Sequence, residues 1–399
     1  MNLLLVGTVT SDSLSRQLVS RNIKPGPAEI VQRYLISGLN NCRLDSVEVV
    51  AAPRIPSFPR TKIQRIKQEE WQYESVQIHS VGFNNLEGIG FVDRKNKIVK
   101  AALEWADRHK SQPKTVLVYS LHSPFLLAAR AIKHKYPTTV IAAIIPDLPQ
   151  YMSAPKGIRK IAKKIDMRRI DQLLGYVDKY VLYTKHMARY FNLPDDRWIV
   201  MEGLMDTKKI VTKQSHKKHS CPVCLYAGRL ESIYAVDKLI KSFESVPEAE
   251  LHLYGSPQEA SKLKNLIDTV ENVKFMGTLS QEGVFQKMRD ADLLLNPRPT
   301  NIELAKYSCP SKTFEYMASG TPVLMTKLPG LPEEYYPYLY FFDEESVEGF
   351  SKTILHVLSI SEKERYEKGR MAQEFLKNCK DSGTQVNRVI EFLLNDKIV

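Results

Sequence analysis

The feature that most limits the fold is a regular alternation between short apolar segments and amphipathic segments, repeated in both halves of the chain. Short apolar runs are typical of buried strands, and the intervening patterns have helical spacing. Because this alternation occurs twice, we predict two doubly wound domains, each with a parallel sheet between layers of helices. The predicted strands are residues 3–6, 46–51, 76–80, 115–119, 139–145 and 179–183, then 223–226, 250–254, 273–276 and 293–296. The predicted helices between them include residues 27–39, 95–109, 128–134, 235–245, 257–270 and 281–289.

Length and composition agree with two domains. The chain has 399 residues, of which 43% are hydrophobic and 26% are charged, enough for two separate cores. The pattern changes after Trp198, and the polar residues 207–220 resemble an inter-domain loop. We therefore predict an N-terminal domain over residues 1–200, a C-terminal domain over residues 201–380 and a final helix within residues 381–399.

The segment 309–322 has the pattern of an anion site. Pro310 suits the first position of a helix and Ser311 can cap the turn that follows, so unpaired amides point outward there. Together with the helix dipole, the ammonium of Lys312 would attract a phosphate. Glu315 lies about one turn further along the same face, where a carboxylate can accept hydrogen bonds from a sugar diol. The alternative is an ordinary capped helix between two strands.

Other candidate residues of this half follow the predicted strands. Gly228 allows close approach of backbone or ligand, and Arg229 offers a planar set of donors to a diphosphate. Arg298 offers a further cation, and Gly255 follows the strand 250–254 at the same edge. Each of these residues could also be an ordinary turn residue.

Three loops occupy the corresponding edge of the first half, where ligands of parallel sheets bind. Gly7 and Thr8 follow the first strand, in a loop without the spaced glycines of a dinucleotide site, so NAD binding is not expected. Asp147 ends a buried strand and could hydrogen-bond a hydroxyl or take its proton, or simply cap the next turn. His122 lies in a strand-end loop, where a structural role is the alternative to ligand contact.

The segment Pro-Ser-Lys-x-x-Glu-Tyr at residues 310–316 resembles the donor-binding helix of retaining family-4 glycosyltransferases of the GT-B fold, especially those of bacterial surface-polysaccharide synthesis. The resemblance implies an α/β protein with two Rossmann-like domains facing a central cleft. It also implies that the final helix packs back on the N-terminal domain. Ile390, Phe392, Leu393 and Leu394 would supply its apolar face.

The resemblance also implies roles for individual residues. The donor would be a nucleotide-sugar, with UDP as the expected nucleotide, and no cofactor or metal is implied. Glu315 would bind the ribose, Met276 and Gly277 would contact the base through their backbone, and Asp147 would face the reacting centre from the acceptor side. The diphosphate would be held by the helix-opening amides near Ser311 and by Arg229, Lys312 and Arg298.

Two departures from the family pattern keep a second function open. Tyr234 stands where the family has a phosphate-binding lysine, and Tyr307 stands where it has a first glutamate. The alternative is a catalytically weak GT-B protein that binds and stabilises another glycosyltransferase or a glycan. A GT-B epimerase is a further alternative, but the acid and base residues that it needs are not evident.

Charge is unevenly distributed. Of the net charge of +12, residues 1–200 carry +14 and residues 201–399 carry −2. Residues 155–174 combine isoleucines at roughly helical spacing with lysines and arginines that include Lys160, Lys163 and Lys164, a pattern typical of an interfacial helix. The alternative is a helix packed on the core with a solvated basic face. We predict peripheral binding to anionic membrane and a lipid-linked or oligosaccharide acceptor.

Other classes of protein are disfavoured. Nucleic-acid binding is not expected, since the cations are not interleaved with aromatic residues. No apolar run approaches the ~20 residues of a membrane-spanning helix, and the first residues have the pattern of a strand, not of a signal peptide. Five cysteines in a chain of this length are typical of a reducing compartment. The expected location is the cytoplasm, at the inner face of the membrane.

Overall fold

The computed structural model describes residues 1–21, 23, 26–151, 157–207, 210, 219–309 and 311–395. The chain divides into two compact units. The first unit consists of Met1–Met205 together with Ser382–Val399, and the second of Asp206–Asp381. Each unit contains its own large sheet with helices around it.

The first unit is built on an eight-stranded sheet. Its strands and those of a small two-stranded sheet are β1 (Asn2–Gly7), β2 (Ser46–Ala51), β3 (Arg65–Ile66), β4 (Glu69–Tyr73), β5 (Val76–Ser80), β6 (Phe83–Asn84), β7 (Lys114–Tyr119), β8 (Val140–Ile145), β9 (Lys179–Leu182) and β10 (Trp198–Val200). Its helices before residue 205 are α1 (Asp12–Val19), α2 (Pro27–Asn40), α3 (Ile89–Arg108), α4 (Ser123–Lys135), α5 (Ile158–Leu174) and α6 (Lys185–Tyr190).

The strand order of this sheet is β10-β9-β8-β7-β1-β2-β5-β4. The chain runs outward from β1 through β2 to β5, then returns to the other side of β1 with β7. The order therefore reverses between β1 and β7, and such a reversal opens a crevice at the carboxyl ends of the strands. The loops that follow these two strands contain Thr8 and His122.

The second unit has a six-stranded sheet with the order β13-β12-β11-β14-β15-β16. Every pairing between neighbours is parallel, and the order reverses between β11 and β14. Its strands are β11 (Val223–Ala227), β12 (Glu250–Tyr254), β13 (Val273–Gly277), β14 (Leu293–Asn296), β15 (Val323–Met325) and β16 (Tyr340–Phe341). Its helices are α7 (Val236–Ser242), α8 (Pro257–Thr269), α9 (Gln281–Asp290), α10 (Ser311–Ala318), α11 (Val347–Ser359) and α12 (Glu362–Cys379).

The fold class is confirmed: the chain is an α/β protein with two Rossmann-like sheets. The central strands of each sheet are buried, as in β1, where Leu3, Leu4 and Leu5 are fully buried. Continuous apolar strands of this kind are expected where helices cover both faces of a sheet. The predicted loop 207–220 falls largely outside the described residues.

Local elements differ from the sequence prediction in several places. The helix α1 was not predicted, and α3 begins at Ile89, six residues before the predicted start at residue 95. Ile89, Phe91 and Val92 are exposed, so the first turns of α3 lack the buried apolar stripe that marks a helix. The strand β4 runs antiparallel to β5, because the two are joined by a tight hairpin that no parallel pair can adopt.

The final helix, α13 (Ser382–Leu394), packs against α2 of the first unit. Its buried apolar side chains are Val386, Val389, Ile390 and Leu393. The predicted apolar face was therefore partly wrong: Leu394 is 49% exposed and Phe392 is only half-buried. Gly38 of α2 explains the closeness of the two helices, since a Cβ at that position would lie 2.5 Å from the Val386 side chain.

The carboxyl end of α13 is capped by a buried lysine. Lys179, the first residue of β9, is 4% exposed, and its Nζ donates to the carbonyl oxygens of Phe392 at 2.7 Å and Asn395 at 2.9 Å. The same ammonium lies 5.0 Å from the centroid of the Phe392 ring. A cation satisfies the unpaired carbonyls at the end of a helix and also interacts favourably with the helix dipole.

We therefore expect Lys179→Met to destabilise the protein by about 1–3 kcal/mol, since it leaves buried carbonyl oxygens without a donor. Urea denaturation followed by circular dichroism measures the change in the free energy of unfolding. The control is Lys97→Met on α3, where the lysine is exposed. Equal stability of the two variants would show that α13 does not depend on this cap.

Candidate functional site

The carboxyl edge of the second sheet collects several of the predicted residues. Gly228 and Arg229 follow β11, and Arg298 follows β14, so these loops flank the point where the strand order reverses. The helix α10 lies between β14 and β15 in the chain and carries Lys312 and Glu315. Open parallel sheets bind ligands at such an edge.

The helix α10 is fastened to this edge by a buried tyrosine. The hydroxyl oxygen of Tyr316 accepts a hydrogen bond from the Ala227 amide at 2.9 Å, at the end of β11. Gln373 of α12 donates to the Ala318 carbonyl at 2.7 Å, which caps the other end of α10. Gly369 of α12 allows this approach, because a Cβ there would overlap the Gly320 carbonyl oxygen. These contacts fix the position of Lys312 next to Gly228.

Lys312 packs on an aromatic ring. Its Nζ lies 3.8 Å from the centroid of the Tyr226 ring, and the Tyr226 hydroxyl donates to the Arg229 carbonyl oxygen at 2.8 Å. Gly228 has a φ of +148°, and a Cβ at this position would overlap Nζ of Lys312. A glycine is therefore required both by the backbone conformation and by the lysine.

The electrostatics of Lys312 and Glu315 are unusual. The pKa of the Lys312 ammonium is lowered to about 7, mainly by burial. The Glu315 carboxylate opposes this shift, and the positive charge of Arg298 adds to it. Burial likewise raises the pKa of the Glu315 carboxyl, against the effect of Lys312. Neither side chain makes a hydrogen bond with the described part of the chain. An ammonium and a carboxylate held in this way can each take a ligand group.

Two arginines complete the cationic surroundings. The Arg298 guanidinium lies 5.8 Å from the centroid of the Tyr234 ring, and its Nη1 donates to the Ser308 hydroxyl at 3.4 Å. The Arg229 side chain is exposed and pairs with no carboxylate among the described residues. Tyr234, which replaces the lysine of the family pattern, thus supports a cation instead of supplying one.

Gly255, which follows β12, and Gly277, the last residue of β13, lie at the same edge. A Cβ at Gly255 would lie 2.5 Å from the Gly228 carbonyl oxygen, so Gly255 allows the two loops to pack closely. Gly277 has a φ of +82° and open space around it, and its carbonyl oxygen accepts from the Gly255 amide at 3.0 Å. Met276 is 42% exposed. Base contacts by Met276 and Gly277 stay a prediction.

Some predicted features at the start of α10 lie beyond what is described. Pro310 falls outside the described residues, and Ser311 is described only as the first residue of α10. The capping by these two residues therefore stays a prediction. Tyr307, at the position of the first glutamate of the family, is half-buried after a short 3-10 helix, Glu303–Lys306.

In the first unit, Gly7 and Thr8 are held by a buried glutamine of α2. Gln32 accepts from the Thr8 amide at 2.7 Å, and its own amide donates to the Thr8 hydroxyl at 2.7 Å. A Cβ at Gly7 would overlap the Gln32 side-chain oxygen. Gln32 therefore shapes this loop. The sequence offered one signal for this role, because Gln32 places a polar side chain within the apolar stripe of a helix.

Asp147 and His122 lie at the carboxyl ends of neighbouring strands, β8 and β7. The Asp147 side chain is exposed. Burial raises the pKa of the nearby Tyr119 hydroxyl, and the charge of Asp147 adds to this effect. His122 is half-buried against Phe125, with ring centroids 5.4 Å apart. Burial, aided by two arginines, lowers the pKa of His122 to about 3, so its imidazole is neutral at pH 7.

Sequence reasoning missed two positioning tyrosines. The Tyr226 ring packs against the Lys312 ammonium, and the Tyr316 hydroxyl connects α10 to β11 through a hydrogen bond. Tyr316 belongs to the segment already singled out, but a single sequence does not show where a hydroxyl points.

Among the described residues, no three His, Cys, Asp or Glu side chains gather as metal ligands. The described helices also include none with the length and hydropathy of a membrane span.

Comparison with known families and curated proteins gives two matches. Residues 221–359 match the family model described as "Glycosyl transferases group 1". A GDP-mannose-dependent monoacylated alpha-(1-6)-phosphatidylinositol monomannoside mannosyltransferase of Corynebacterium glutamicum is 26% identical over 253 residues. That alignment covers 59% of this chain and 65% of the relative, so the match spans slightly less than two thirds of the relative's length.

Solved structures with the same fold cover nearly the whole chain. A sucrose-phosphate synthase from Thermosynechococcus elongatus superimposes with a TM-score of 0.67 at 14% identity, covering 98% of both chains. HepE of Anabaena, solved in complex with UDP, has a TM-score of 0.65 at 14% identity, covering 98% of this chain and 99% of its own. The chain therefore has the GT-B fold, and its residues 221–359 match the glycosyl transferases group 1 family.

Proposed function

We propose that the protein is a retaining glycosyltransferase that moves a sugar from a nucleotide-sugar to a glycan acceptor, in the synthesis of a bacterial surface polysaccharide. The observation that carries this proposal is the pair Lys312 and Glu315, both partly buried on one face of α10 and without hydrogen bonds to the described residues. The ammonium suits a diphosphate and the carboxylate suits a ribose diol. The family match over residues 221–359 supports the same assignment.

The reaction needs stabilisation of the departing nucleoside diphosphate. We assign this role to Lys312, Arg229 and Arg298, with the opening amides of α10, and to no metal or cofactor. Preorganised cations and amides around a developing charge supply a large share of enzymatic rate enhancement. Glu315 orients the nucleotide, and Asp147 of the first unit hydrogen-bonds the acceptor hydroxyl or takes its proton.

The expected donor is a UDP-sugar. HepE was solved with UDP, whereas the Corynebacterium relative is named for GDP-mannose, so both nucleotides belong in the test. Thermal shift with a panel of UDP-sugars and GDP-mannose identifies the donor, since a ligand at 100 times its Kd stabilises by ~2.7 kcal/mol. Release of UDP or GDP from the stabilising donor then measures activity. A protein that no nucleotide-sugar stabilises would refute the proposal.

A separate observation favours a second function. Tyr234 and Tyr307 replace a lysine and a glutamate of the family pattern, which fits a GT-B protein that binds a glycosyltransferase or a glycan with little catalysis. Because Arg298 packs over Tyr234, the cationic charge near the site is not lost with the lysine. Nucleotide binding without sugar transfer or hydrolysis would favour this second function.

Glu315→Ala and Arg229→Ala are each expected to weaken UDP binding, by about ten-fold or more. The first removes the ribose acceptor and the second removes a charge-assisted contact worth ~1.5–3 kcal/mol. Isothermal titration calorimetry with UDP measures both. Arg289→Ala, on α9 of the same unit, is the control for loss of a positive charge. Unchanged affinity in both variants, with folding intact, would remove the donor-site assignment.

We also propose peripheral binding to an anionic membrane through α5. Ile161 and Ile165 are 62% and 54% exposed, whereas Ile170 and Leu173 further along the helix are buried. The first half of α5 therefore presents apolar side chains beside basic ones, and its second half packs on the core. The exposed basic residues near these isoleucines are Lys160, Lys164 and Arg168.

The protein is expected to co-sediment with anionic but not zwitterionic vesicles at low salt, and to be released at ~1 M salt, where the Debye length is ~3 Å. Replacing Lys160, Lys164 and Arg168 with Glu should abolish binding, because each cation near the bilayer contributes ~1 kcal/mol. Lys163 is left in place, since its Nζ donates to the Gln150 carbonyl at 3.0 Å.

The matched control for this experiment replaces three exposed lysines elsewhere in the same unit with Glu: Lys97, Lys100 and Lys110. This control changes the net charge by the same amount as the α5 variant. If both triple variants lost binding equally, the overall charge of the unit and not α5 would attract the membrane. If the α5 variant sedimented like the parent protein, this helix would have no part in membrane binding.

A further inference from the structure

A cluster of basic side chains lies in the first unit and includes two arginines not considered so far. Arg54 follows β2, His122 follows β7, and both strands lie next to β1 with their carboxyl ends at one edge of the sheet. Arg94 comes from the second turn of α3. Three elements that are distant in sequence thus bring basic side chains to the edge where ligands of such sheets bind.

The backbone that carries Arg54 is firmly held. The buried Asn85 donates from its side chain to the Pro56 and Ile63 carbonyl oxygens, at 2.9 Å each. Its own carbonyl oxygen accepts from the Phe58 amide at 2.8 Å. The loop after β2 is therefore tied at three points to the segment that leads into α3.

The start of α3 is equally well placed. The Asp93 carboxylate accepts from the Asn84 amide at 2.8 Å. A Cβ at Gly90 would lie 2.6 Å from the Asn84 carbonyl oxygen, so only a glycine allows the helix to approach β6 this closely. The Arg94 guanidinium then lies 5.8 Å from the centroid of the Phe83 ring. The loop that carries Arg54 and the helix that carries Arg94 are therefore both held in place by packing and hydrogen bonds.

These cations lack counter-charges. Neither Arg54 nor Arg94 forms an ion pair with any described residue, and Nε of Arg94 is buried without a hydrogen-bond partner. Burial, and then the positive charge of Arg54, lowers the pKa of Arg94. Leaving a buried donor unpaired costs about 1–3 kcal/mol, and more for a charged group. Such an arrangement is explained if an anion occupies the cluster during function.

We propose that Arg54 and Arg94, together with His122, bind a phosphoryl group of the acceptor, an inference that rests on the proposed glycosyl transfer. Two guanidinium groups present forked donors that match phosphate oxygens. The neutral imidazole of His122 donates one N–H to the same group. The sugar hydroxyl that receives the glycosyl group would then lie toward Asp147, in the loop after the neighbouring strand β8.

The phosphoryl group could belong to a lipid headgroup or to a soluble sugar phosphate, and an observation favours the lipid. Ile89, Phe91 and Val92 are 63%, 36% and 50% exposed in the first turns of α3, immediately before Arg94. An acyl or polyprenyl chain next to the phosphate would cover these apolar side chains. We therefore expect a lipid phosphate to bind more tightly than a sugar phosphate.

The test is calorimetric titration of the full chain with inorganic phosphate, glucose 6-phosphate and dihexanoyl phosphatidic acid. Saturating UDP is present throughout, so that the diphosphate site of the second unit is filled. Arg54→Gln and the double variant Arg54→Gln/Arg94→Gln should weaken the affinity for inorganic phosphate by about ten-fold or more. The control is Arg65→Gln, an exposed arginine of the same segment, which should bind like the parent protein.

Thermal denaturation separates a ligand site from a structural role of Arg94. Without phosphate, Arg94→Gln should leave Tm unchanged or raise it, because it removes an unpaired buried cation, whereas a structural arginine would lower Tm when replaced. Parent-like phosphate affinity of the double variant, or no phosphate binding by the parent, would overturn the inference. Tighter binding of glucose 6-phosphate than of the lipid would support the site and assign it to a sugar phosphate.

UDP binding is measured separately in each variant and should not change. If UDP bound but phosphate did not, the anion site would be refuted while the donor site stood. If phosphate bound and UDP did not, the proposed function would fail while the anion site stood. The two proposals therefore have distinguishable outcomes.

Discussion

Replacing Asp147 with asparagine is expected to reduce glycosyl transfer by at least ~100-fold, the lower end of the contribution of a positioned acid or base. The substitution keeps the size of the side chain but removes its charge and its ability to take a proton. Asp147 is exposed at the carboxyl end of β8, beside the buried hydroxyl of Tyr119. The loss should fall on kcat, because the residues assigned to the nucleotide belong to the second unit.

This experiment has two controls. UDP affinity of Asp147→Asn, measured by calorimetry, should equal that of the parent protein. Asp171→Asn, which removes an exposed carboxylate from α5 of the same unit, should transfer sugar normally. Transfer by Asp147→Asn at the parental rate would mean that Asp147 only caps the turn after β8.

The second large effect concerns pH. The ammonium of Lys312 has its pKa lowered to about 7 in the protein without ligand. A bound diphosphate stabilises the charged form and raises that pKa, so binding above pH ~7 requires uptake of a proton. UDP affinity should therefore fall as pH rises, by about ten-fold per pH unit and up to ~100-fold between about pH 7 and pH 9.

The comparison that isolates this effect is Lys312→Met. At about pH 6 the variant should bind UDP at least ten-fold more weakly than the parent protein, because it lacks the ammonium. At about pH 9 the UDP affinities of the variant and of the parent protein should become similar, since the parent lysine is then largely neutral. Titration of the ligand itself affects both proteins alike. Parallel pH profiles for parent and variant would show that Lys312 does not contact the phosphates.

The sequence was most informative at positions where only one kind of residue meets the physical requirement. The apolar runs of β1 and β11 are buried because strands covered on both faces must be apolar throughout. Gly228 was predicted as a point of close approach, and its backbone conformation and the neighbouring Lys312 both require a glycine. Likewise, the spacing of Lys312 and Glu315 places them about one turn apart on a single helix.

Features that depend on neighbours distant in sequence were not predictable. The pattern of residues 155–174 allowed both a core-packed and an interfacial helix, and α5 combines the two, because only part of it lies against the core. Hairpin pairing of β4 and the early start of α3 were missed for the same kind of reason: both segments are polar or exposed, so burial leaves little periodic signal in them.

By itself, the sequence determined the α/β class, the series of buried strands in each half and the positions of the glycines and charges that follow them. These properties depend on hydrophobic periodicity and backbone conformation within a few residues. Only the tertiary structure decided the electrostatics. It placed Lys312 on the Tyr226 ring, where burial lowers the lysine pKa to about 7. It also gathered Arg54, Arg94 and His122 from three elements, since desolvation and charge proximity arise only when distant segments pack together.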